Sequence, residues 1–245
     1  MGNNMRDNNF IIENNAKHLW HPMGAPGDLI NNPPKVITNA NGSQISDMDG
    51  HTTVDAVGGL WCVNLGYSNE AVKDAISEQL NHLPYYSGFA GTTNPAAIEA
   101  SYMVKEMFKA DGMEKVFFTS GGSDSVETCL RLSRQYHRLR GEPTRTKFIS
   151  LKKGYHGTHF GGASVNGNNR FRIAYEPLLP GCFHLPSPYT YRNPFNETDP
   201  QKLALNIAQT FEDEIAFQDK NTIAAFIMEP IQGAGGVIVP DLSLI

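Results

Sequence analysis

KVFFTSGGSDSVETCLRLSRQYHRLRG, Lys115 to Gly141, is the stretch that decides the fold. Val116 to Thr119 is a short run rich in aromatic and β-branched residues, Ser120-Gly121-Gly122-Ser123 is a turn, and beyond it apolar residues return every three or four positions, at Val126, Cys129, Leu132, Tyr136 and Leu139. The order predicts strand, tight loop, helix. Asp124 with Glu127 three residues on marks the helix start, the arginines at 131, 134, 138 and 140 fall mostly outside the apolar stripe, and Gly141 with Pro143 ends it. Glycines that tolerate positive φ, followed by the Ser123 hydroxyl at the positive end of a helix dipole, make a seat for a phosphate. The same two glycines would equally serve close packing of the helix on its strand.

Downstream the alternation continues. Lys147 to Leu151 reads as a strand, KKGYHG as a turn, GGASV as a small-residue segment, residues 166–200 as a long irregular stretch, Gln201 to Gln218 as a helix, and Ile223 to Met228 as a fully apolar strand. Uninterrupted apolar strands alternating with helices predict an α/β fold, a mostly parallel sheet with helices on both faces. Three loops then fall at carboxyl ends of predicted strands, where such sheets bind ligands: Ser120 to Ser123, Gly154 to Gly157, and Glu229 to Gly236.

Upstream, the asparagine-rich start leads into a short helix that reaches Trp20 at most, and prolines 22, 26, 33 and 34 argue against regular structure. Between Lys35 and Asp55, Asn41-Gly42 and Asp49-Gly50 separate β-rich runs as type I′ hairpin turns. A glycine-punctuated loop carrying Trp61 precedes a helix with Val72, Ile76, Leu80 and Leu83 on one face, and Asn94-Pro95 opens the next helix. A small N-terminal α+β segment, residues 1–57, thus precedes the start of a larger domain, residues 58–245.

The 245 residues are 40% hydrophobic and carry a formal net charge of -5, with basic residues scattered rather than striped, which excludes a nucleic-acid reading. No apolar run approaches the ~18 residues of a bilayer span and no leader pattern opens the chain, so a cytoplasmic protein without membrane partners is expected. Three widely spaced cysteines predict neither a disulfide framework nor a zinc site, and the histidines lack metal spacing, so no metal is expected.

The motifs GLWCVNLGYS, LPYY, TTNPA, FFTSGGSDSVET, GYHG, GGAS and AAFIMEPIQGAGGVIVP occur in this order, and from about His18 onward the chain resembles the class III aminotransferases, pyridoxal-phosphate enzymes of fold type I, most closely the ω-transaminase group that passes amines to pyruvate. The resemblance implies that Gly122 and Ser123, with Gly121, hold the cofactor phosphate. Tyr155 would lie against the pyridine ring, and Glu229 would be the pocket glutamate of the EPIQG motif. Trp61, Phe89 and Ala90 would line the substrate site, and Ala234 stands where ornithine- and GABA-type relatives can carry an acid. It also implies small-molecule amine and keto acid substrates and a homodimer. The resemblance further implies a Schiff-base lysine and an aspartate under the pyridine nitrogen downstream of the EPIQGAGG motif, beyond Ile245, and none of the eleven lysines here matches the catalytic context. The chain therefore reads as the N-terminal half of a transaminase, inactive alone, with a noncatalytic phosphate-binding fragment as the alternative.

Overall fold

The computed structural model describes residues 7–244, and the chain divides into two compact units, residues 1–103 and 104–245. In the first, α1 (Asn8–His18) begins where the Asp7 carboxylate accepts from the Phe10 amide at 2.9 Å. The prolines do not exclude regular structure: Pro26 opens a one-and-a-half-turn helix, α2 (Pro26–Asn31), at a position where its missing N–H has no partner to lose. Strands β1 (Ile37–Asn41), β2 (Gln44–Asp47) and β3 (Thr52–Val54) form an antiparallel sheet in that order.

Neither hairpin uses the expected type I′ turn. The first turns on Gly42-Ser43 with only Gly42 left-handed (φ 57°), the requirement of type II′. The second has a three-residue loop, Met48 to Gly50, closed by the Asp47 amide on the His51 carbonyl (3.0 Å) with Gly50 at φ 84°. A single turn, α3 (Gly58–Trp61), and then α4 (Glu70–His82) follow. Asn94 and Pro95 open α5 (Pro95–Met107) as the sequence predicts, with Asn94 Oδ1 accepting from the Ala97 amide at 2.9 Å.

The second unit is built on parallel strands β4 (Lys147–Leu151), β5 (Cys182–Leu185) and β6 (Ile223–Ile227), with β4 in the middle. Ile149, Leu151 and Leu185 pack against Leu203 and Ile207 of α8 (Pro200–Gln218) on one face. Phe148 packs against Val126 and Leu130 of α6 (Gly122–Leu139) and Val165 of α7 (Phe160–Val165) on the other. Helices thus cover both faces, as expected of an α/β parallel sheet.

Three expectations fail here for physical reasons. Val116 to Thr119 forms no strand: β5 and β6 occupy both edges of β4, no described residue offers these four a ladder, and Phe117 stays 72% exposed. The loop Ser120 to Ser123 therefore does not follow a strand. The buried edge of α6 is Val126 and Leu130, while Cys129, Leu132, Tyr136 and Leu139 are exposed. Arg134 takes the place of an apolar neighbour, its guanidinium 5.1 Å from the Phe148 ring centre and bonded to the Thr146 carbonyl. The long stretch 166–200 contains β5, whose four residues are too few to show a period and which owes its existence to the ladder with β4.

Candidate functional site

α6 begins at Gly122 with Gly121 as an extended N-cap residue (φ 176°, ψ 177°), and among the described residues no side chain caps it. Asp124 lies in the first turn, but Glu127 does not fold back as a capping box; its Oε2 accepts from the Gly162 amide at 3.3 Å instead. Neither Gly121 nor Gly122 lies in the left-handed region, and a Cβ on either would meet nothing within 4 Å. The glycines therefore serve no close packing. They leave the first N–H groups of an 18-residue helix open to a ligand.

The loop after β4 meets that helix start, and the loop after β6 is bonded to the loop after β4. Ser123 Oγ accepts from the Thr158 amide at 3.1 Å, and Gly157 lies so close that a Cβ there would fall 2.7 Å from Ser123 Oγ; its φ of +95° also demands glycine. The Glu229 carboxylate joins the two strand-end loops by accepting from the Tyr155 amide (2.8 Å) and the Gly233 amide (3.0 Å). Gln232, 1% exposed, donates to the Lys152 carbonyl at 3.0 Å and accepts from Ser187 Oγ at 2.5 Å, tying in the end of β5. Asn166 accepts from the His156 amide and donates to the Gly157 carbonyl at 2.8 Å. The Tyr155 ring rests on Phe171 with centres 4.9 Å apart, and Ala234 is exposed in the turn beyond Glu229.

Beneath this loop His156 is 5% exposed and its Nε2 has no hydrogen-bond partner. Burial, then the neighbouring His184, holds its pKa down to about 4; burial and the Arg172 guanidinium do the same for His184. Both rings are neutral at pH 7, and Arg172 Nη1 bonds His184 Nε2 at 2.8 Å.

In the first unit, Trp61 is 62% exposed and Phe89 83% exposed, so neither is core. Both stand beside left-handed backbone. Gly58, Gly59, Leu60 and Trp61 all have positive φ (59°, 60°, 67° and 65°), and Ala90 has φ 55°. For non-glycine residues this conformation costs ~1–2 kcal/mol each. The turn at 58–61 is held by Asp55, whose Oδ1 accepts from the amides of Val57 and Gly58 (3.1 Å each) and whose Oδ2 accepts from the Gly59 amide (2.7 Å) and the Tyr67 hydroxyl (2.5 Å). The Tyr67 hydroxyl, then the Gly59 amide, hold the Asp55 carboxyl below the usual carboxylate range, and the same bond pushes the Tyr67 phenol up. Elsewhere in this unit Asp47, Asp49 and His51 lie within reach of one another, but Asp47 is already engaged with Lys35 and the amides of Asp49 and His51 that close its hairpin.

The class-III aminotransferase family model matches residues 29–245. The chain belongs to the class III aminotransferases. It is 37% identical over 206 residues to the putrescine–pyruvate aminotransferase of Pseudomonas aeruginosa, covering 84% of this chain and 45% of that protein. Among solved structures it resembles an amine transaminase from an uncultivated Pseudomonas species in its pyridoxal-phosphate-bound form, with 45% identity, a TM-score of 0.90, and coverage of 93% of this chain and 51% of that one. A thermostable omega transaminase engineered for asymmetric synthesis of enantiopure bulky amines, in which a tryptophan, a phenylalanine and an arginine are replaced, matches at 32% identity and a TM-score of 0.89, covering 95% of this chain and 51% of that one. The chain spans about half the length of the relatives it matches.

Class III aminotransferases use pyridoxal phosphate, and their structural neighbours show fold type I, in accord with the α/β architecture here. The residues at the start of α6 fit its phosphate. Open amides and a helix dipole face outward, and Ser123 Oγ, already accepting one bond, still has its proton to donate. Of the residues the resemblance implies, Gly121, Gly122, Ser123, Tyr155 and Glu229 share one set of interlocked loops in the second unit, while Trp61, Phe89 and Ala90 lie in the first. Sequence reasoning missed Asn166, Gln232, Thr158 and the Asp55–Tyr67 pair, whose roles rest on bonds between residues far apart in the chain; the one local signal was the position of Gln232 inside the EPIQG run.

Proposed function

We propose that these residues are the cofactor- and substrate-binding part of an ω-transaminase that moves an amino group from an amine or ω-amino acid to a keto acid such as pyruvate, acting as a homodimer in the cytoplasm. The observation that carries this reading is the uncapped start of α6, with its two open glycines, locked by Ser123 to the loop that bears Tyr155. When bound, the cofactor supplies an electron sink for the amine carbon. The amides of Gly122 and Ser123, beside Gly121, and the Ser123 hydroxyl anchor its phosphate. Tyr155 offers its ring to the pyridine, and Glu229 fixes the Tyr155 backbone and so the height of that ring. The covalent lysine and the proton transfer belong to residues outside these 245, and binding and orientation are the share carried here. The division into residues 1–57, serving a small domain, and 58–245, serving the large one, is part of the same proposal.

Trp61, Phe89 and Ala90 line the amine side, and Ala234 is assigned to substrate binding on its own account. In support, the tryptophan and phenylalanine replaced in the engineered bulky-amine enzyme stand as many residues apart as Trp61 and Phe89 do here. The direct test is Ser123→Ala in the complete gene product. Loss of one charge-assisted bond, worth ~1.5–3 kcal/mol, raises the Kd for pyridoxal phosphate about ten- to a hundredfold. An unchanged Kd would remove Ser123 from the phosphate seat.

A further inference from the structure

Four consecutive left-handed residues, two of them the large apolar Leu60 and Trp61, are not a conformation a chain adopts without external support. The support is visible. The turn closes on itself through the Trp61 amide to the Val57 carbonyl (2.9 Å) and the Cys62 amide to the Gly58 carbonyl (2.9 Å), and Asp55 gathers the three amides that precede Leu60. Tyr67 shares Asp55 Oδ2 with the Gly59 amide and is itself fixed to the β1–β2 turn, its amide donating to the Gly42 carbonyl at 2.9 Å. The interior of the turn has no slack, since a Cβ on Gly59 would fall 2.5 Å from Val63 Cγ2 and 3.2 Å from the Tyr67 hydroxyl. Yet the side chains carried by this strained backbone are not buried: Leu60 and Trp61 are both exposed. Strain maintained by a dedicated carboxylate, with an indole held out of the core, is a presentation device rather than a packing solution.

We propose that Asp55 and Tyr67 are positioning residues for Trp61, and that their hydrogen bond, by holding the left-handed turn, sets the pose of the indole and with it the size of amine the enzyme accepts. The inference rests on the reading above that Trp61 walls the amine site. Asp55 and Tyr67 themselves do not touch substrate. Removing the Tyr67 hydroxyl leaves Asp55 its three amide bonds but unties the carboxylate from Tyr67 and so from the β1–β2 turn, which loosens the left-handed turn and lets the indole sample other poses, whereas the phosphate seat, built from residues of the other unit, keeps its own bonds.

Trp20 and Trp61 are the only tryptophans, so Trp20→Phe leaves Trp61 as the sole reporter. In that background Tyr67→Phe is expected to lower the fluorescence anisotropy of Trp61 and to erase most of its near-UV circular dichroism, with the far-UV spectrum unchanged. Unaltered anisotropy and dichroism would overturn the proposal. Hydrogen exchange on the chain without any substitution gives a second measurement that no folding defect can obscure. The amides of Gly58 and Gly59 should exchange at least tenfold more slowly than that of Gly88 in the exposed loop before Phe89, and equal rates would overturn the proposal too.

In the complete gene product, Trp61→Ala and Tyr67→Phe should shift the ratio of kcat/KM for a bulky over a small amine in the same direction, at least fivefold, while the Kd for pyridoxal phosphate stays within twofold. If Trp61→Ala shifts the ratio and Tyr67→Phe does not, the positioning claim alone falls. If Trp61→Ala leaves the ratio unchanged, the wall reading falls and takes this inference with it.

Discussion

His156 shows how a single buried residue couples the candidate site to solution conditions. With its ring buried and Nε2 unpartnered, the folded chain refuses a proton that the unfolded chain accepts at the ordinary value of 6.5. The folded pKa, about 4, lies below the unfolded one, so stability is complete above pH 6.5 and declines as pH falls through the window from 6.5 to 4. For His156 alone the loss is on the order of 3 kcal/mol at the bottom of that window. His184, whose pKa is likewise held down to about 4, adds a loss of the same sign in the same window. Carboxylates held low by their partners, Asp55 among them, lose their contribution at more acid pH, which separates the two effects. Urea unfolding at pH 7 and at pH 4.5 should therefore show a clear drop in midpoint that His156→Gln reduces by about half. A midpoint flat between those pH values, or an equal drop in the variant, would contradict this account of His156.

At the scale of elements, the decisive joint is between the start of α6 and the loop after β4, and Gly157 is its tightest point. Gly157→Ala requires a side chain at φ +95° with its Cβ against Ser123, so both the backbone and the Ser123–Thr158 bond must give way. The expected cost is ~2–4 kcal/mol of stability, measured by urea unfolding, with cofactor affinity falling in parallel. A variant as stable as the parent would show that the loop does not lean on Ser123. This joint also marks where the sequence was legible and where it was not. Helix α6, strands β4 and β6 and the cap at Asn94-Pro95 were readable because each carries a local signal: a 3.6-residue period, an apolar run, a capping side chain. The extent of Val116–Thr119 and of β5 was not, because a strand exists only where a partner is available, and partners are chosen at the level of the sheet. The same holds within the site. Gly121, Gly122 and Ser123 announce themselves by type and order, whereas Gln232, Asn166 and Tyr67 act through bonds to residues nine to eighty positions away, beyond any local pattern. Reading the arginines of α6 as solvent-facing missed Arg134, whose stem and guanidinium cover Phe148.

Over the whole molecule, each unit leaves apolar surface open among the described residues: Val72, Ile76 and Leu80 form an uncovered stripe on α4, and Phe117 and Phe118 lie open ahead of α6. Faces of this kind call for cover, which fits the proposal that these residues work within a larger assembly. The central claim, that the start of α6 and the loop bearing Tyr155 together form a phosphate seat for the cofactor, lies within one unit and can be put to the chain itself. The most direct measurement is an NMR titration of the isotope-labelled protein with pyridoxal phosphate, and in parallel with pyridoxal lacking the phosphate. The account predicts that the amide signals of Gly122, Ser123 and Thr158 move together along one saturable curve with pyridoxal phosphate and stay in place with pyridoxal. Amides that do not respond, or that respond equally to both compounds, would contradict it.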